Sequence, residues 1–307
     1  MSDLTSARID LLRQALAKRP DAAALRVQLA EALWQAGRPG EFAEGARRAS
    51  LLDGSLVPAD GTRIARELRG SSLALIEHGA AFASVIADLA VAEAYLGDTN
   101  AVRRLMDFAR FFHGAAASPP DGVSATDFHA ALAAEIKADL TFYEAPDDRA
   151  LRRGWQFNGV ARATPVMSAL RAMLRREVER YISALPDDPG HPFVQSRPAA
   201  YTIDGWANVS DGATHHYAHI HPRAWLTGVY YVVEPEVARA PGSHAGWLRV
   251  APPLDETAAR SQGWSARWVR PAPGTLVLMP GYFYHGTAPM GVDQERICVA
   301  FNVTPAA

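Results

Sequence analysis

A chain of 307 residues is long enough for two domains of ordinary size, or for one large domain with an appended module. Hydrophobic residues make up 49% and charged residues 21%, a balance that excludes a disordered or membrane-embedded chain as the default. With 31 basic and 33 acidic side chains the formal net charge is −2, so no global field recommends nucleic acid or an anionic membrane as partner.

In chain order, Met1-Ser2-Asp3-Leu4 lacks the basic and apolar stretches of a secretory leader, and no apolar run approaches the roughly 20 residues of a membrane span. A single cysteine, Cys298, cannot form an intramolecular disulfide. A cytoplasmic protein is the expectation. Residues 6–53 read as helices, with Ile9, Leu12 and Leu16 at helical spacing and a second run through Leu25, Leu29, Leu33 and Trp34 that Gly37 ends. The pattern Ala30-Glu31-Ala32-Leu33-Trp34-Gln35-Ala36-Gly37 is echoed by Ala92-Glu93-Ala94-Tyr95-Leu96-Gly97. Small residues, an aromatic and a turn glycine resemble a tetratricopeptide unit, although the regular period of about 34 residues is missing. Residues 1–115 are therefore expected to form a degenerate helical-hairpin region, a possible surface for a protein partner.

Small residues and paired prolines between His113 and Gly122 mark a linker, with the next domain spanning 123–307. A short helix is expected around Asp127 to Leu140, then one that Thr164-Pro165 starts as N-cap and first residue, with Met167, Leu170, Leu174, Val178 and Ile182 on one face. Arg171, Arg175 and Arg176, mixed with Glu177 and Glu179, read as a solvated helix face. From Ala199 onward the pattern changes to short β-branched and aromatic runs: 201–203, 206–209, 228–233, 247–250, 275–279 and 296–303. Six or more such strands without long intervening helices predict an antiparallel double sheet or barrel of jelly-roll type. The fold class is thus α+β, helices first and a double-stranded β-helix after.

Six of the ten histidines fall in this β-rich part: His215, His216, His219, His221, His244 and His285. In His219-Ile220-His221-Pro222 the two imidazoles are two residues apart, so an extended strand puts both on one face. His285 follows the strand ending at Met279-Pro280 and is placed to enter from a neighbouring strand as a third ligand. Three imidazoles suit either a redox-active iron with open positions or a zinc with a bound water. His215 and His216 are expected at the rim of such a pocket, and His244 in solvent. Arg296 opens the last strand and by alternation shares a face with Cys298, Ala300 and Asn302. A guanidinium beside small inward residues has room to clamp a carboxylate bidentately.

At these residues the sequence resembles the iron(II)- and 2-oxoglutarate-dependent dioxygenase superfamily, and within it a bacterial group of oxygenases sometimes preceded by tetratricopeptide-like helices. The resemblance covers roughly residues 125–304 and rests on His219-Ile220-His221-Pro222, Leu226 to Val232, Gly274 to Pro280, His285, and Glu295-Arg296-Ile297 through Phe301-Asn302-Val303. It implies His219 and His285 as iron ligands, with His221 where the family usually has Asp or Glu. It also implies Arg296 on the far carboxylate of 2-oxoglutarate, Tyr231 offering its phenol to the same group, Thr227 lining the pocket, and Trp206 and Asn208 on the cosubstrate or substrate side. The activity implied is hydroxylation by dioxygen of an unactivated C–H bond, in an amino-acid side chain of a peptide or protein or in an amino-acid-like small molecule. Two other readings stand beside it: a cupin-type three-histidine dioxygenase that does not use 2-oxoglutarate, and a non-catalytic helical interaction protein whose barrel binds a metal.

Overall fold

The computed structural model describes residues 9–15, 29, 61–138, 141–144, 153–212, 216, 218–250 and 266–306. Most of the helices expected within 6–53, the first copy of the repeated pattern at 30–37, and His215 lie outside these residues.

The first long elements are α1 (Gly61–Glu77) and α2 (Ala83–Leu96), packed together as a hairpin whose turn includes Gly79 at φ 81°. The Nε of Arg69 donates to the buried Glu93 at 2.8 Å and ties the two helices. Gly97, the glycine of the second repeated pattern, sits at φ 79° and ends α2, with its N–H on Ala94 O and that of Asp98 on Glu93 O. Two short helices follow, α3 (Thr99–Leu105) and α4 (Phe108–Phe111), each capped by an aspartate, Asp98 and Asp107.

Then comes β1 (His113–Ala116), so the stretch read as a linker begins with a strand, antiparallel to residues 275–278. After it α5 (Ala125–Ala138) and α6 (Pro165–Ala184) brace the sheet. The hydroxyl of Thr164 caps α6 by accepting the N–H of Met167 at 3.3 Å, and Met167, Leu170, Leu174 and Val178 are buried along one side. The charged face of α6 does more than meet solvent. Arg171 donates to the carbonyls of Val160 and Arg162, Arg176 reaches Ser118 O, and Glu177 is buried between Arg176 and Arg180. A single turn, α7 (Pro192–Gln195), precedes the barrel.

The remaining strands are β2 (Thr141–Glu144), β3 (Arg153–Phe157), β4 (Tyr201–Ser210), β5 (Leu226–Val233), β6 (Leu248–Val250), β7 (Arg267–Val269), β8 (Thr275–Pro280), β9 (His285–Thr287) and β10 (Arg296–Pro305). They form an antiparallel seven-stranded sheet, ordered β1-β8-β5-β10-β4-β3-β2, and a three-stranded sheet, β7-β6-β9. His216 and residues 218–221 extend the smaller sheet beyond β9: His219 and His285 form an antiparallel bridge, and Thr287 N–H donates to His216 O. From β4 onward the chain alternates between the sheets in jelly-roll order, β4, β5, β8 and β10 in the larger, segment 218–221, β6, β7 and β9 in the smaller. One hydrophobic core runs from Ile86, Leu105 and Phe111 of the helical layer through Leu170 and Leu174 to Val299 and Phe301 of the sheet. The order, helices then an antiparallel double sheet, is the α+β class expected from the sequence.

Candidate metal centre

The bridge between segment 218–221 and β9 creates the site. His219 and His285 exchange backbone hydrogen bonds, each 2.9 Å, which sets their side chains on one face with ring centroids 4.3 Å apart. His221, two residues on, presents its ring to the same side, 5.2 Å from His219 and 5.0 Å from His285. One ligand nitrogen from each of the three lies within 4.8 Å of the others. Asp204 and Asp211 do not join this cluster.

Hydrogen bonds fix which nitrogens face inward. Nδ1 of His221 lies 2.6 Å from Oδ1 of Asn302, and Nδ1 of His285 lies 2.9 Å from Phe283 O. Both partners accept only, so both rings donate from Nδ1 and keep the Nε2 lone pair for a ligand. Burial, reinforced by the neighbouring imidazole of His219, pushes His221 down to about 3 and His285 well below the usual histidine range. Both rings are therefore neutral at ordinary pH, the form a metal requires. Trp206 lies nearly parallel to His221, ring centroids 6.1 Å apart.

Arg296 is 1% exposed. Its Nη1 donates to Gly246 O at 2.7 Å and its Nη2 to Ser210 Oγ at 3.2 Å, with Thr287 Oγ1 at 3.5 Å, while Nε has no partner. Among the described residues no carboxylate neutralises this buried cation, and its Nε is a donor left without a partner. Around it, burial raises the Tyr231 phenol well above its ordinary value and raises the Cys298 thiol, to which Asn208 is hydrogen-bonded. Thr227 is buried with its hydroxyl on Phe301 O at 3.1 Å.

All seven residues singled out in the sequence, His219, His221, His285, Arg296, Tyr231, Thr227 and Asn208, line one cavity of about 680 Å³ together with Trp206 and His216. His244 is exposed and stacks on Trp268 at 4.4 Å, away from the cavity. Sequence reasoning did not assign Asn302 to His221, nor Ser210, Thr287 and the Gly246 carbonyl to Arg296. Alternation already carried two of these, since Asn302 shares a face of β10 with Arg296 and Ser210 a face of β4 with Asn208.

Residues 204–302 match a family described as "Putative 2OG-Fe(II) oxygenase". The matched stretch contains every one of the seven residues. Among solved structures the chain is similar to a Pseudomonas putida prolyl-4-hydroxylase (15% identity, covering 70% of this chain and 99% of that one, TM-score 0.45). It is also similar to HygX from Streptomyces hygroscopicus with nickel and 2-oxoglutarate bound (16% identity, 66% and 87% covered, TM-score 0.42). A third is a Trichoplax adhaerens prolyl hydroxylase in complex with a peptide fragment of hypoxia inducible factor (14% identity, 69% and 90% covered, TM-score 0.42). No curated protein matches the chain.

Proposed function

We propose that the chain is an iron(II)- and 2-oxoglutarate-dependent oxygenase that hydroxylates an unactivated C–H bond of an amino-acid side chain, in a peptide or protein or in an amino-acid-like small molecule. The observation that carries the reading is the pairing, in one cavity, of three convergent imidazoles with a buried arginine that lacks a counterion among the described residues. The donor set fits the group: His219, His221 and His285 would hold iron on one face, leaving positions for cosubstrate and dioxygen. Bound there, the metal and 2-oxoglutarate would supply an oxidant from dioxygen, with succinate and carbon dioxide as coproducts.

The protein's own part is positional. Asn302 and Phe283 O orient His221 and His285 with Nε2 free to serve as a ligand, and Arg296, steadied by Gly246 O and Ser210, would meet the far carboxylate of 2-oxoglutarate alongside Tyr231. Thr227, Asn208 and Cys298 wall that end and keep it dry. The buried Cys298 thiol suits a reducing, cytoplasmic setting, and among the described residues no helix is long and apolar enough to cross a membrane. The N-terminal helices remain a candidate surface for a protein partner.

The test is anaerobic addition of 2-oxoglutarate to the iron(II)-loaded protein, which should give the visible charge-transfer band of the chelate. Arg296→Gln should weaken 2-oxoglutarate binding while leaving iron affinity intact. Oxygen uptake without succinate would instead favour a three-histidine dioxygenase of cupin type. Absence of both iron binding and the band would leave no enzyme reading standing.

A further inference from the structure

Among the described residues eighteen line the cavity, and none of these is Asp or Glu. Two are arginines: Arg296, buried, and Arg223, exposed at the mouth. Acidic side chains near other arginines and lysines are spent elsewhere, Glu93 on Arg69, Glu177 on Arg176 and Arg180, Asp188 on Arg104 and Arg110, Glu234 on Arg239 and Arg270, and Glu295 on Lys137. Arg223 makes no hydrogen bond or ion pair with the described residues.

Its position is nonetheless fixed. Ala224 N–H donates to His221 O at 3.0 Å, which closes a turn with Pro222 and Arg223 at its centre. That turn is pinned in turn by His221 N–H on Gly281 O, 2.9 Å. Arg223 is thus two residues from a candidate metal ligand, on a short, anchored loop. Pro222 and Arg223 also wall an adjoining groove of about 210 Å³, so a substrate too large for the cavity alone would still pass this guanidinium.

We propose that the substrate presents an anionic group, a carboxylate or a phosphate, and that Arg223 holds it at the cavity mouth as a specificity-determining residue. The inference rests on the oxygenase reading above. A divalent metal and a 2-oxoglutarate dianion cancel in formal charge, so the two guanidinium charges of Arg296 and Arg223 leave the loaded cavity net positive among its described residues. Such a wall repels ammonium groups and draws in anions, and a guanidinium offers a carboxylate or phosphate two parallel N–H donors.

The experiment uses the full chain loaded with zinc(II), which is redox-inert, with and without saturating 2-oxoglutarate so that Arg296 is either occupied or open. Matched pairs are titrated by saturation-transfer NMR: an N-acetyl amino acid against its amide, phosphoserine against serine, and a short peptide ending in a free carboxylate against its amidated form. The anionic member of at least one pair should bind about ten- to a hundredfold more tightly, as expected for a hydrogen bond between charged groups. The preference should fade with added salt, vanish in Arg223→Gln, return in part in Arg223→Lys, and persist when 2-oxoglutarate is saturating. The carboxylate, phosphate and peptide arms show which source of the anion is preferred. Equal binding within every pair, no binding by any, or a preference that survives Arg223→Gln would each overturn the proposal. Zinc and 2-oxoglutarate affinities, measured first, report separately on the oxygenase reading, and Arg223→Gln should leave both unchanged.

Discussion

At His221 a hydrogen bond between two side chains decides which nitrogen faces the cavity. Asn302 Oδ1 takes the Nδ1 proton, and without it the ring is free to turn or change tautomer. Asn302→Ala should therefore lower metal affinity by about 10–100-fold, and His221→Ala should lower it at least as far. Asn302→Asp, which keeps the acceptor, should restore binding. Competition against a chromophoric chelator measures all three; unchanged affinity in both alanine variants would place His221 outside the metal set. Much of this site was legible in the sequence, because His219 and His221 stand two apart, His285 follows a strand end, and Arg296 heads an alternating run. What the pattern left open was what orients the His221 ring. The answer involves a residue 81 positions away, and the pairing of β10 against its neighbours, which local spacing does not contain, brings it there.

Elements matter through where their ends meet. Gly281 follows β8 and its carbonyl accepts the N–H of His221, while the position of an added Cβ lies only 2.0 Å from Ala224 O. Any side chain there must part the turn 221–224 from the end of β8. Gly281→Ala should destabilise the protein by about 1–3 kcal/mol, the usual cost of overpacking, and should weaken metal binding as well, because His221 rides on that contact. Urea unfolding together with a metal titration checks both, and a variant with wild-type stability and affinity would show that the turn relaxes freely. Strands β4, β5 and β10, which carry Asn208, Thr227, Tyr231 and Arg296, were readable from β-branched and aromatic runs. β1 was not: His113-Gly114-Ala115-Ala116 is exposed along its length and has no strand-forming residue, so only its pairing with β8 makes it a strand. The three-residue strands β7 and β9 were invisible for a similar reason, being too short for alternation to register.

The whole molecule depends on how the helical layer is bolted to the barrel, and this was the least legible level, since it is built from single polar contacts between distant residues. Tyr181 OH donates to Phe111 O at 2.8 Å, Tyr282 OH to Leu105 O at 2.5 Å, and Trp225 Nε1 to Phe193 O at 3.0 Å. His191 lies at the same seam, fully buried against Phe111. Its Nδ1 accepts the N–H of Phe193, capping α7, while Nε2 donates to Arg104 O at 3.1 Å. One ring nitrogen must accept and the other donate, so a second proton would break the cap. Burial pushes this histidine down to about 4, with Arg104 and Arg110 opposing the charged form and Asp188 favouring it. Because the folded-state value is below the unfolded one of about 6.5, the unfolded chain binds the extra proton first. Stability from His191 is complete above pH 6.5 and is lost as pH falls toward 4, by up to roughly 3 kcal/mol. His191→Asn keeps a capping acceptor and cannot titrate, so the stability gap between wild type and variant, measured by urea unfolding, should shrink or reverse across that window. Other buried histidines, His221 and His285 among them, cancel in this difference. A gap that stays constant from pH 7 to pH 4 would mean that the seam tolerates a charged ring.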